Sequence, residues 1–143
     1  MDIAVATRNL YRFEEKIYAH SDNFQQAGVT TLRSMKQLRL ALDFIWTKYG
    51  GFDNSRDFPK PKLIASPGEW YGGRYLSYSI HGEIHLVRNQ RNYLTLVHEL
   101  SHALGNDYHD RTFVDLEFDI LEDVFDVDRG ELEMAAGLCG VDR

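Results

Sequence analysis

The run Val97-His98-Glu99-Leu100-Ser101-His102-Ala103-Leu104-Gly105 sets two histidines four positions apart with a glutamate directly after the first. On a helix, residues at that spacing share one face a turn apart, so the imidazoles of His98 and His102 can converge on a single ion. Glu99 falls at the edge of such a site, where its carboxylate can take a proton from water instead of ligating. Neutral nitrogen ligands leave the charge of Zn2+ largely uncompensated, which lowers the pKa of a bound water to about 7. The chemistry that this spacing serves is hydrolysis, with zinc as cofactor and Glu99 as general base. The bland alternative is a pair of surface or core histidines on an ordinary helix.

A catalytic zinc generally takes three protein ligands and leaves its fourth position to water. His109 is the expected third ligand: it lies seven residues after His102, just past the Gly105-Asn106-Asp107 turn, so the chain can fold back within a short reach. The competitor is Glu122, twenty residues after His102, with Asp126 four further on. Both acids are equally explained as the solvated face of an acidic helix. Asp107 or Asp119 could orient a ligating histidine. Tyr108 could donate to an oxyanion, although packing is the simpler role for it. His20, His81 and His85 show no ligand spacing and are read as surface or structural.

Several elements must position these groups. An amphipathic helix is predicted from about Arg8 to Phe24, on the spacing of Leu10, Tyr11, Phe13, Ile17 and Tyr18. A second begins near Thr30 or Thr31, carries Leu32, Met35, Leu38, Leu42, Ile45 and Trp46 on one stripe, and stops at Gly50-Gly51. The turn-forming composition of residues 51–61 reads as a loop. Strands follow at Lys62 to Ser66, Tyr75 to Ile80 and Glu83 to Val87, with His81-Gly82 as a hairpin turn. The Trp70-Tyr71-Gly72-Gly73-Arg74 stretch is an interstrand turn or a lip over the site. Ile84 to Val87 is a candidate cleft edge for pairing with an extended substrate, or an ordinary edge strand. The histidine-bearing helix runs from about Arg91 to Leu104 and ends at Gly105, and two more helices cover Arg111 to Phe125 and Glu131 to Leu138. The fold class is α+β, with residues 1–143 expected to form a single domain.

Composition limits the partners. The chain has 143 residues, 43% of them hydrophobic, which suffices for one sizeable core. Its formal net charge of −6 opposes the electropositive surface that phosphate binding needs, so a nucleic-acid partner is not expected. Cys139 is the single cysteine, which excludes an internal disulfide and suits a reducing, cytoplasmic setting. Neither a signal peptide nor a membrane-spanning run is recognised.

The His98-Glu99-Leu100-Ser101-His102 run, followed by His109 and by Phe113 in Tyr-His-Asp-Arg-Thr-Phe, resembles SprT-like and other minimal zincin (HExxH) metallopeptidases. More closely, the chain is similar to a group of small metallohydrolases of actinobacteria and their phages. Arg12 to Ala19 resembles that group's opening helix, and Gly130 to Val141 its closing helix. The resemblance implies a minimal zincin fold of N-terminal helices, a small three-stranded sheet, an active-site helix and C-terminal helices. It also implies zinc on His98, His102 and His109, with Glu99 as general base.

In two places the chain departs from the group: Asp110 stands where glycine is common, and the loop before the third histidine is shorter. The spacing is not that of metzincins, whose third histidine comes one residue earlier. Glu122 with Asp126 resembles instead the third ligand and supporting aspartate of thermolysin-like gluzincins. The expected activity is hydrolysis of a peptide or protein substrate. The alternative, from another class, is a zinc-stabilised interaction module, such as a phage factor binding a host protein through its acidic surface. A third reading, a DNA-associated protease as among some SprT-like proteins, is opposed by the net charge and by the lack of a nucleic-acid module.

Overall fold

The structure is a computed structural model, and it describes residues 3–20, 28–49, 60–80, 82–105 and 108–141. It is a mixed α+β protein whose contacts divide it into two compact units, Thr31–Gly105 and Met1–Thr30 with Asn106–Arg143. No helix among the described residues is long and apolar enough to cross a membrane.

The mixed unit opens with α2 (Met35–Tyr49); the first helix of the chain, α1 (Ile3–His20), belongs to the other unit. The start of α2 is set by Ser34 and Gln37, which form a reciprocal capping box: Gln37 N–H donates to Ser34 Oγ (3.1 Å), and Ser34 N–H donates to Gln37 Oε1 (3.0 Å). Thr30 and Thr31 therefore do not cap it, and Leu32 lies ahead of the helix, exposed instead of on the stripe. Of the rest of that stripe, Leu38, Leu42, Ile45 and Trp46 are buried as their spacing requires, and Met35, the first residue of the helix, is half-buried. Most of the expected loop at residues 51–61 lies outside the described residues.

Five strands follow: β1 (Lys62–Ala65), β2 (Glu69–Tyr71), β3 (Arg74–Leu76), β4 (Tyr78–Ile80) and β5 (Glu83–Leu86). A three-stranded sheet has the order β1-β5-β4, and β2 and β3 form a separate hairpin. The Gly72-Gly73 pair joins that hairpin with both φ angles positive (58° and 88°), which identifies the Trp70 to Arg74 stretch as an interstrand turn. The strand expected over Tyr75 to Ile80 is broken at Ser77. Both Ser77 N–H and Ser77 Oγ donate to Gln90 Oε1 (2.9 Å each), and Ser77 Oγ accepts from Val87 N–H (3.0 Å). A residue whose amide is taken by a side chain leaves the ladder, so one expected strand becomes β3 and β4.

β5 is the central strand, parallel to β1 and antiparallel to β4. Both readings of Ile84 to Val87 as an edge are corrected by this pairing, since β5 has a neighbour on each side. Ile84 and Leu86 are fully buried whereas Glu83 and His85 are half-buried, the period-two pattern of a strand with one face on a core. Gly68, between β1 and β2, is irreplaceable on two counts. Its φ is +88°, and a Cβ there would sit 2.3 Å from Val87 Cγ1 and 2.7 Å from Leu76 O. Gly68→Ala is expected to lower unfolding stability by at least about 2 kcal/mol, from the left-handed conformation plus overpacking. A urea midpoint equal to the wild type's would refute that account of the turn.

After a 3-10 turn (Arg88–Gln90) comes α3 (Tyr93–Ala103), which packs on α2, β4 and β5. Asn92 caps it, its Oδ1 accepting from Thr95 N–H (2.8 Å). Gly105, with φ +105°, ends it, its N–H reaching His102 O (3.0 Å).

The helical unit contains α1, α4 (Arg111–Phe125) and α5 (Arg129–Leu138), with α5 packed on both α1 and α4. Phe13 and Phe118 meet with ring centroids 5.3 Å apart, in a core that also holds Leu10, Phe113, Leu121, Leu132 and Ala136. Helix α1 begins earlier than expected, and the expected continuation to Phe24 lies outside the described residues. Asp110 caps α4, its Oδ1 accepting from Phe113 N–H (3.1 Å), and Asp128 caps α5 in the same way through Glu131 N–H (2.9 Å). Asp126 ends α4 in the left-handed conformation, φ 58°.

Candidate metal centre

Most of α3 is apolar and buried, through Leu94, Leu96, Val97, Leu100 and the bordering Leu104. At about 100° per residue, Thr95, His98, Glu99 and His102 instead fall within one strip roughly 100° wide. The sheet and α2 hold the apolar circumference, which fixes the orientation of this strip. Ser101 is turned to the other side, and its buried hydroxyl donates to Val97 O (2.8 Å), so the hydroxyl inside the motif is spent on the helix itself.

The imidazoles of His98 and His102 come together as the spacing predicts. Their ring centroids are 5.2 Å apart with the planes at 72°, and a ring nitrogen of one lies within 4.8 Å of a ring nitrogen of the other. The rings meet edge-to-face and do not stack. Glu99 is 5% exposed and His98 6%, so carboxylate and imidazole sit at the same depth. A donor pair of neutral imidazoles beside a carboxylate is a set that fits Zn2+.

In the helical unit, His109 immediately precedes the Asp110 cap and is gripped on three sides. Thr7 Oγ1 lies 2.9 Å from Nδ1, the Tyr11 ring meets the imidazole edge-on at 5.6 Å, and Phe113 does so at 5.0 Å. Thr7 and Tyr11 are four apart on α1, hence on one face of it, and Phe113 comes from the first turn of α4. Tyr108, expected to pack, is instead 57% exposed, because the bend that delivers His109 turns its neighbour outward. Asp110 has a structural use as the α4 cap, which accounts for an aspartate at that position.

The alternative ligand Glu122 is exposed on α4, as the solvated-face reading has it. Its would-be supporting residue Asp126 is occupied in terminating the helix. Asp119 pairs with Arg129, whose Nη1 donates to its carboxylate at 2.7 Å while the guanidinium lies over the Phe118 ring. His85 is structural, stacked on Tyr78 at 4.4 Å with Nε2 at 3.0 Å from Glu83 Oε1. His81, Asp107 and the side chain of His20 lie outside the described residues.

Two features were not foreseen from the sequence. Thr7 is one, since a hydroxyl 102 positions from its imidazole leaves no local signal. The other is Glu117, which is fully buried and brings a carboxylate oxygen within 4.8 Å of one from Glu14. A signal for Glu117 did exist: it interrupts the apolar stripe Phe113, Val114, Phe118, Leu121, and a carboxylate on a core face is a costly placement that needs compensation. Comparison of the chain with protein-family models, with curated proteins and with solved structures returns no match.

Proposed function

We propose that the protein is a zinc-dependent hydrolase of the minimal zincin kind, acting on a peptide or protein substrate, with His98, His102 and His109 as the ligands and Glu99 as the general base. The observation that carries this reading is the polar strip of α3, in which two neighbouring imidazoles, His98 buried and His102 half-buried, and the buried carboxylate of Glu99 stand on a largely apolar helix. Two imidazoles four apart with a carboxylate beside them are the groups that metal-assisted hydrolysis needs. Zinc, when bound there, supplies a Lewis acid for the substrate carbonyl and lowers the pKa of the water it holds.

Glu99 then has two tasks. Its carboxylate accepts a proton from the attacking water and afterwards gives that proton to the leaving amine nitrogen. His98 and His102 are held in register by one helix, so neither needs to be ordered when the ion arrives. β4 is an edge of the three-stranded sheet and packs beside α3, and an extended peptide laid along it would add a strand by main-chain hydrogen bonds.

The third ligand is testable apart from the activity. His109→Ala is expected to release zinc on dialysis, whereas Glu122→Ala is expected to keep one equivalent, as measured by atomic absorption. Retention by the first variant with loss by the second would transfer the role to Glu122.

A further inference from the structure

We infer that Thr7 is the positioning residue for His109: its hydroxyl accepts from Nδ1–H and so holds the imidazole in the tautomer that presents the Nε2 lone pair to a cation. This rests on the three-histidine reading above. A neutral imidazole carries one N–H, and a metal takes the lone pair of the other nitrogen, so whatever engages the first nitrogen chooses the ligand atom.

At 2.9 Å, Thr7 Oγ1 engages Nδ1. A hydroxyl can donate or accept, and only one sense suits a ligand. If Thr7 donated to Nδ1, the proton would sit on Nε2 and that nitrogen could not bind an ion. Thr7 lies within α1, and its Oγ1 meets Nδ1 of His109 from there. A neutral ring that serves as a ligand through Nε2 therefore carries its hydrogen on Nδ1 and donates it to a lone pair of Thr7 Oγ1.

The surroundings of the ring serve the same end. Tyr11 and Phe113 both approach it edge-on, from α1 and α4 respectively, and resist rotation about the Cβ–Cγ bond. The Asp110 cap fixes the backbone next to it. Steric confinement sets the plane of the ring, but two aromatic edges cannot tell one nitrogen from the other. Thr7 is the group in this set that can. Removing such an outer hydrogen bond typically costs about 10–100-fold in metal affinity.

The test uses the full chain in wild-type, Thr7→Val and Thr7→Ser forms. Valine copies the shape of threonine without the hydroxyl, and serine keeps the hydroxyl. Nitrogen-15 NMR of the metal-free wild type, at a pH where His109 is neutral, is expected to show the proton on Nδ1. In Thr7→Val the proton should move toward Nε2 and zinc affinity should fall about 10–100-fold, and Thr7→Ser should restore both. A wild-type ring protonated on Nε2 would overturn the inference without recourse to any variant. So would a folded Thr7→Val protein with unchanged tautomer and affinity. If the wild type binds no zinc, the three-histidine reading fails, yet the tautomer of the metal-free ring still decides what Thr7 does.

Discussion

Glu99→Gln is expected to bind one equivalent of zinc like the wild type and to hydrolyse a labelled unfolded protein about 10²–10⁴-fold more slowly, the usual contribution of a positioned proton acceptor. The substitution keeps the size and nearly the shape of the side chain, which matters because Glu99 is buried, 5% exposed. What it removes is basicity. A carboxamide can neither take a proton from water nor hand one to a leaving amine, so a role confined to packing or to holding the helix would leave turnover intact. The comparison must be made at equal metal content. Unchanged hydrolysis in a zinc-loaded Glu99→Gln protein would remove Glu99 from the reaction.

The second large effect concerns His98 and His102. Replacing either by Ala is expected to lower zinc affinity by more than about 100-fold, since loss of an outer-sphere partner alone costs about 10–100-fold. The two positions should behave alike, because one helix holds both rings and neither has a substitute on the same strip. A stability measurement reads the same event. A ligand that binds only the folded chain stabilises it by about 2.7 kcal/mol at one hundred times its dissociation constant. Zinc should therefore raise the melting temperature of the wild type and leave both variants unmoved. If His98→Ala or His102→Ala still gained the full shift, the ion would be held elsewhere.

The motif was legible because it is local. His98, Glu99 and His102 fall within five residues, and helix periodicity alone brings the two rings together, so no knowledge of the tertiary fold was required. The helix expected over Arg111 to Phe125 is found with those bounds, and the structure adds Asp110 as its cap. Where the reading went astray, long-range contacts or competing side chains decided. Ser34 and Gln37 outbid Thr30 and Thr31 as the start of α2 by satisfying two amides at once. Ser77 divided a strand because Gln90, thirteen positions on, took its amide. β5 looked like an edge until β1 paired with it in parallel, and a parallel partner leaves no turn signature in the sequence. Thr7 and Glu117 lay beyond local reach for the same reason: their significance depends on what other helices bring to them.

The central claim is that three imidazoles hold one zinc and leave a position open to water. X-ray absorption spectroscopy of the zinc-loaded chain measures this directly. The account predicts one tightly held equivalent, with three imidazole nitrogens at about 2.0–2.1 Å and a light-atom water ligand beside them. A sphere with fewer than three imidazoles, one closed by four protein side chains, or a chain that retains no zinc would contradict it.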